Sequence, residues 1–204
     1  MKKLLPLICL IVLTSCSITF PGKFHPDFQP QTDQSLIQFL DSSNVVYNKT
    51  DIATLTDTIT FKAFGTKNTF TIPDAFFFNK DGYRVEDNFK GTRCGHIITN
   101  ANKINEAPTN KTEHINDWIK DFRFLQNTAT TDKDYDVTII LTWGLYAHKS
   151  APSVNREAFE WYKSLKENYP EMKIRTVFLN LDFQRSWFIH DDNEKKAATG
   201  NITQ

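Results

Sequence analysis

The sequence predicts an α/β protein in which helices flank a central sheet. Two apolar runs, Val137 to Trp143 and Ile174 to Leu181, have the length and continuous hydrophobicity of strands covered on both faces. Between them, apolar residues recur at helical spacing after Ser153, which can cap that helix, and residues 168–170 (Asn-Tyr-Pro) end it. A buried strand, a helix and a second buried strand predict a parallel β-α-β unit.

The first elements of the folded region are predicted in chain order. Residues 33–40 suit a short helix because their apolar positions share one face. Residues 44–48 (Asn-Val-Val-Tyr-Asn) indicate a short buried strand. Asp51 is predicted to cap a helix that runs to about Phe64 on an apolar stripe at positions 52, 55, 59 and 63, and Gly65 is predicted to end it.

A β-hairpin is predicted next. Two aromatic-rich runs, Phe70 to Phe78 and Tyr83 to Phe89, flank residues 79–82 (Asn-Lys-Asp-Gly), and Asp-Gly between such runs is a strong hairpin signal. Residues 91–108 follow as a polar loop around Cys94.

One more helix precedes the β-α-β unit in the prediction. Asn110 and Glu113 have the spacing of a capping box. The helix that they open carries apolar residues at helical spacing, namely Ile115, Trp118, Ile119 and Phe122. Trp118, together with Trp161 in the later helix, is expected to pack in the core.

The amino terminus carries a separate signal. Lys2 and Lys3 precede an apolar run of about ten residues, which is too short to span roughly 30 Å of hydrocarbon as a helix. Leu13-Thr14-Ser15-Cys16 then resembles the bacterial lipobox. That resemblance implies a signal peptide over residues 1–15 and a Cys16 that carries diacylglycerol and acyl chains such as palmitate. Two or three such chains hold a protein stably on a membrane.

The lipobox resemblance also implies a location. Ser17 follows the cysteine where an aspartate would oppose outer-membrane sorting in enteric bacteria, so we expect an outer-membrane anchor facing the periplasm of the cell envelope. Residues 16–32 contain three prolines and are predicted to be a tether. We expect one α/β domain over residues 33–190 and a polar tail over residues 191–204.

Composition limits the functions that the chain can have. The 40% apolar residues and 17 phenylalanines favour a packed domain. Loss of Lys2 and Lys3 with the signal leaves 22 of the 24 basic residues against 24 acidic ones, a net charge of about −2, so nucleic-acid binding has no electrostatic support. Of the three cysteines, Cys9 leaves with the signal and Cys16 is lipidated. Cys94 alone cannot form an internal disulfide.

The β-α-β unit resembles the thioredoxin family, in which Trp-x-x-Trp-Cys-x-x-Cys opens the helix and Asn-x-Asp ends the second strand. Here residues 143–150 read Trp-Gly-Leu-Tyr-Ala-His-Lys-Ser, and residues 180–182 read Asn-Leu-Asp. Aligning the aromatic pairs puts Ala147 and Ser150 at the two cysteine positions. Residues 72–82 resemble the family's Ile-Pro-Thr hairpin, which implies a cis peptide bond before Pro73. The hairpin follows the β-α-β unit in the family and precedes it here, which implies a permuted or rearranged fold.

Three further groups of residues invite a chemical interpretation. His148 could act as a base near Ser150, although a solvated loop histidine is the expected alternative. His96 could activate Cys94, and the alternative is a passive cysteine. Asp182 with the acidic and histidine residues at 190–192 could suggest a metal, but the spacing fits no recognised site and predicts a solvated tail. We predict no metal and no cofactor.

Two functions from different classes follow from these observations. The first is a non-enzymatic lipoprotein whose redox-inactive thioredoxin-like domain binds or scaffolds an envelope protein. The second is a thiol enzyme that uses Cys94 alone, in peroxide or mixed-disulfide chemistry. Exchange within one chain needs two thiols, and serine or alanine cannot replace them, so the first is favoured.

Overall fold

The computed structural model describes residues 29–67, 69–85, 98–126 and 135–188. Its strands are β1 (Ile52–Leu55), β2 (Ala75–Phe78), β3 (Tyr83–Val85), β4 (Thr109–His114), β5 (Phe122–Phe124), β6 (Val137–Trp143) and β7 (Ile174–Asn180). Its helices are α1 (Asp33–Ser42), α2 (Thr58–Thr66), α3 (Ile115–Ile119), α4 (Leu145–Ser150) and α5 (Pro152–Asn168). Short 3₁₀ helices occupy Lys49–Asp51, Ile98–Glu106 and Arg185–Phe188.

The described strands form one mixed sheet in the order β4-β3-β2-β6-β7-β1-β5. β6, β7 and β1 are parallel neighbours, and the remaining pairs are antiparallel. The expected α/β class, with a central sheet between helices, is confirmed at this level.

Apolar side chains cover both sides of the sheet. On one side, α1, α5 and the 3₁₀ helix at 98–106 pack against alternate residues of β6 and against Phe178. On the other side, α2 and α3 pack against Ile140, Val177 and Leu179. All seven residues of β6 are buried, which explains why this strand appears in the sequence as a continuous apolar run.

The predicted β-α-β unit is confirmed. β6 and β7 pair in parallel from Val137 opposite Ile174 to Trp143 opposite Asn180. The crossover consists of α4 and α5 rather than one helix capped by Ser153. Pro152 is the first residue of α5, a position that suits proline because the first turn leaves its N–H groups unpaired anyway. Ser153 is exposed in that turn, so its predicted capping role is wrong.

The predicted hairpin is also confirmed, with shorter strands. β2 pairs with β3 across the turn, and Gly82 takes a positive φ of 81° that glycine adopts without steric cost. β2 also pairs antiparallel with β6, from Ala75 opposite Leu141 to Phe78 opposite Thr138. The Ile72–Pro73 peptide bond just before β2 is cis, as predicted.

The predicted helix from Asp51 to Phe64 is wrong in its first half. Ile52–Leu55 is the buried strand β1, which lies between β7 and β5. Asp57 caps α2 instead, because its carboxylate accepts from the N–H of Thr60 and the Thr60 hydroxyl accepts from the N–H of Asp57. Gly65 lies inside α2, where the ring of Phe70 packs against it.

Two other predictions of secondary structure are wrong, for residues 44–48 and for the segment that follows Asn110. Residues 44–48 form no strand, and Val46 is 80% exposed there. The predicted helix after Asn110 divides into β4, α3 and β5. Asn110 and Glu113 do contact each other, at 3.3 Å, but within β4, and His114 caps α3. The expected core positions of Trp118 and Trp161 are confirmed at 2% and 7% exposure.

Candidate functional site

The candidate site lies where the parallel strands end. Because β6, β7 and β1 run in the same direction, their carboxyl ends meet at one edge of the sheet, and α4 begins there after Trp143. Ligands of α/β proteins commonly bind at this edge. Buried polar side chains are concentrated at and beside it: Thr142, Asn155, Asn180, Asp182 and Gln184, each at most 4% exposed.

Asp182 caps the first turn of α4. Its carboxylate oxygens accept from the backbone N–H of Leu145 at 2.7 Å and from that of Tyr146 at 3.0 Å. A carboxylate is favoured there because the first N–H groups of a helix have no partner within the helix. Asp182 is 4% exposed, so the expectation that it belongs to a solvated tail is wrong.

Two buried amide side chains hold Asp182 in place. Asn180 donates from Nδ2 to Asp182 Oδ2 at 2.7 Å and accepts from the Asp182 N–H at 3.1 Å. Gln184 donates from Nε2 to Asn180 Oδ1 at 3.1 Å and to the Asp182 carbonyl at 2.8 Å. The three side chains therefore form one network that links the end of β7 to the start of α4.

Gly144 is held from the other side by Asn155. The Gly144 N–H donates to Asn155 Oδ1 at 3.2 Å, and Asn155 Nδ2 donates to the Gly144 carbonyl at 2.8 Å. A Cβ at position 144 would lie 2.9 Å from the Tyr146 ring and 3.1 Å from Ile72 Cδ1. Gly144 thus packs against the side chains of Tyr146 and Ile72, and a larger residue at this position would have to displace them.

Thr142 fixes that segment against the end of β6. Its hydroxyl accepts from the Asp74 N–H at 2.8 Å and lies 2.8 Å from the Thr71 carbonyl, to which it donates. The Thr142 N–H also donates to the Asp74 carbonyl at 2.9 Å. Residues 71–74 consequently lie beside the residues that lead into α4.

The structure brings together only some of the residues that the sequence singled out. Ala147 is 2% exposed in the first turn of α4, and Ser150 is the last residue of that helix. Pro73 is half-buried in the segment that Thr142 holds. Cys16, Cys94, His96 and residues 190–192 lie outside the described residues, so the predictions made for them stay predictions.

His148 differs from the expected solvated loop histidine. It lies within α4, is half-buried, and meets the ring of Phe39 edge to face at a centroid distance of 4.9 Å. Its Nδ1 is buried and has no hydrogen-bond partner among the residues that the structure describes. A ring that packs on Phe39 in this way is a structural contact.

Burial controls the ionisation of Tyr146. Removal from water raises the pKa of its hydroxyl well above the ordinary value of 10.0, and the charge of Asp182 raises it further. The phenol therefore stays neutral across the whole range in which proteins usually function, which excludes it as a base there.

Sequence reasoning missed Thr142, Asn155 and the capping role of Asp182. A signal did exist: the threonine interrupts an apolar strand, and Asn180 and Asp182 stand at the end of another. Which backbone groups these side chains bind depends on the pairing of β6 with β7, and that pairing is not local in sequence.

The described residues contain no group of three or more His, Cys, Asp or Glu side chains that could hold a metal ion. They also include no helix that is both long and apolar enough to cross a membrane. Comparison with protein-family models, with curated proteins and with solved structures finds no match.

Replacement of Asp182 by Asn tests the capping network. Asp182 Oδ2 accepts from both Leu145 and Asn180, and Oδ1 accepts from Tyr146. An amide must turn one NH₂ group towards such a donor, so we expect a loss of about 2–3 kcal/mol in the free energy of unfolding. Urea unfolding and hydrogen exchange of the Leu145 and Tyr146 amides measure the effect.

Asp81→Asn is the matched control for this variant. Asp81 lies in the hairpin turn with a 60% exposed side chain, and turns accept Asn as readily as Asp. We expect a change within about 0.5 kcal/mol. Equal stability of the two variants would contradict the role assigned to Asp182.

The Tyr146 pKa predicts a pH dependence of stability. In the unfolded chain Tyr146 ionises from about pH 10, whereas in the folded protein it stays neutral to higher pH. Above pH 10 its contribution therefore lowers the free energy of unfolding by up to about 1.4 kcal/mol per pH unit. In Tyr146→Phe this part of the slope should be absent, and urea unfolding between pH 8 and 11.5 compares the two proteins. A constant difference over that range would show that burial does not suppress the ionisation.

Proposed function

We propose that this chain is a lipid-anchored protein of the bacterial cell envelope whose thioredoxin-like domain binds a protein partner and carries out no thiol–disulfide exchange. The order of four central strands supports the thioredoxin-like part. The hairpin β2–β3 lies beside β6, β7 lies on the other side of β6, and β6 and β7 are parallel. Although the hairpin comes first in the chain, residues 71–74 contact the end of β6, which leads into α4, and this is close to the juxtaposition that the resemblance implies.

The observation that carries the redox part of the proposal is the absence of a thiol at Ala147 and Ser150 in α4, the positions that the resemblance aligns with the family's cysteines. Thioredoxin chemistry needs a thiolate whose pKa is lowered at a helix N-terminus. Here the N–H groups of Leu145 and Tyr146 are already engaged by a carboxylate. The family's Asn-x-Asp motif has an aspartate at the same place, so the missing thiols, and not this carboxylate, account for the proposed lack of exchange.

The residues at the positions equivalent to the family's cysteines agree with this proposal. Ala147 and Ser150 carry no thiol, and a hydroxyl does not perform disulfide exchange.

A peptide partner suits the segment around Pro73. In this segment Phe70 and Thr71 are exposed, while Ile72 and Pro73 are half-buried. The segment is fixed by Thr142 and needs no ordering when a ligand arrives. We propose that an extended peptide docks along it, as strands and extended segments do in other recognition domains.

The redox part of the proposal is tested by reduction of insulin disulfides with the full chain and dithiothreitol. We expect a rate equal to that of dithiothreitol alone, and the same rate for Cys94→Ser, because no second thiol can resolve a mixed disulfide. Turnover that Cys94→Ser abolishes would contradict the binding role, as would alkylation of Cys94 much faster than that of free cysteine at pH 7.

The anchor is tested separately with Cys16→Ser expressed in a bacterium that has an outer membrane. We expect the wild-type chain in the membrane fraction with an acylated Cys16 peptide by mass spectrometry, and the variant in the soluble fraction, because acyl chains supply the membrane affinity. Cys94→Ser is the matched control and should remain in the membrane fraction. Retention of both variants in the membrane fraction would contradict lipidation at Cys16.

A further inference from the structure

An aromatic cluster lies next to the candidate site. Phe61 of α2 contacts Phe70, Phe183 and Trp187 at ring-centroid distances of 4.5, 4.9 and 5.8 Å. Phe70 is 39% exposed, and the other three rings are half-buried. These four rings, here called the aromatic cluster, keep part of their apolar surface in contact with solvent.

The chain joins the domain beside this cluster. The Gln31 N–H donates to the Phe183 carbonyl at 2.7 Å, and the Arg185 N–H donates to the Gln31 carbonyl at 2.7 Å. Gln31 therefore lies alongside the segment that contains Phe183 and leads to Trp187. Whatever precedes Gln31 in the chain starts from this edge of the sheet.

The distance from Gln31 to Cys16 limits how the domain can sit on a membrane. The fifteen peptide units between them can span at most roughly 50 Å. A folded domain of this size has a radius of gyration of about 15 Å. With lipid on Cys16, Gln31 is held within roughly 50 Å of the bilayer, and the edge that holds Gln31 is the part of the domain that the chain ties to the lipid.

We propose that the aromatic cluster is the surface with which the anchored domain rests on the phospholipid bilayer. This inference rests on the proposed lipidation of Cys16. Tryptophan favours the interfacial layer of a membrane, and phenylalanine rings supply the apolar surface that enters the boundary between headgroups and acyl chains.

The proposed orientation also limits where the peptide partner lies. Phe70 belongs to the cluster and directly precedes residues 71–74, so in the anchored domain Phe70 rests on lipid while the peptide occupies residues 71–74 beside it. The peptide that docks there belongs to a protein chain close to the membrane surface.

Trp187 provides a built-in probe, since Trp118, Trp143 and Trp161 are buried. The mature chain from Cys16 onwards, with Cys94→Ser, is coupled through Cys16 to a maleimide phospholipid in vesicles of phosphatidylethanolamine and phosphatidylglycerol. Tryptophan emission is then measured with and without a spin-labelled lipid whose label lies near the headgroups. We expect the Trp187 emission, obtained as the difference from Trp187→Phe, to fall by roughly half, because a ring resting in the interface lies within a few ångströms of the label.

A probe at the opposite edge of the sheet is the matched control. Val46 is 80% exposed and precedes β1, whose amino end lies away from the edge that holds Gln31. In Val46→Trp with Trp187→Phe, the probe at position 46 should keep its emission. Equal quenching of the two probes, or quenching of position 46 alone, would overturn the proposed orientation.

A third variant separates contact from mere proximity. Phe70→Ser with Trp187 retained removes exposed apolar surface from the cluster, and we expect weaker quenching of Trp187 than in the parent chain. Unchanged quenching would show that the cluster itself does not hold the domain on the lipid. Because the lipid is attached chemically, none of these results depends on whether cells acylate Cys16, which the fractionation of Cys16→Ser decides.

Discussion

The buried carboxylate of Asp182 is the constraint on which the edge of the sheet depends. A charge that is 4% exposed is tolerated only when hydrogen-bond donors surround it, and here the donors come from two places in the chain. Leu145 and Tyr146 supply backbone N–H groups from α4, and Asn180 supplies an amide from β7. The hydrogen bonds to the Asp182 carboxylate thus fix where α4 begins relative to the end of β7.

The same edge is completed by side chains that bind backbone rather than each other. Asn155 binds both backbone polar groups of Gly144, and Thr142 binds the segment around Pro73. Each contact replaces water on a peptide group that would otherwise be buried without a partner. This is why polar residues occur within apolar elements here, and why the loops at this edge have defined positions.

How much of this was visible in the sequence depends on how local the cause is. β6, β7 and the turn at Gly82 were predicted because buried apolar runs and turn residues act over a few positions. β1 was missed because the apolar residues at 52, 55, 59 and 63 have helical spacing, although the first two lie in β1 and the last two lie in α2. Ile52–Leu55 is a strand because β7 and β5 bind it on both sides, and those partners lie far away in the chain. At the site, Ala147 and Pro73 were noticed through a resemblance, whereas the role of Asp182 required the pairing of β6 with β7.

The position of Asp182 also decides what a helix N-terminus can do in this protein. An unoccupied first turn attracts negative charge from outside, such as a thiolate or an anionic ligand. In this protein Leu145 and Tyr146 donate to an internal carboxylate, and these two hydrogen bonds stabilise the fold. Ala147, which the resemblance aligns with one of the family's cysteines, is 2% exposed in the first turn of α4. Under the proposed function, the missing thiols at positions 147 and 150 account for the absence of exchange, and the carboxylate of Asp182 holds the start of α4 in a defined position.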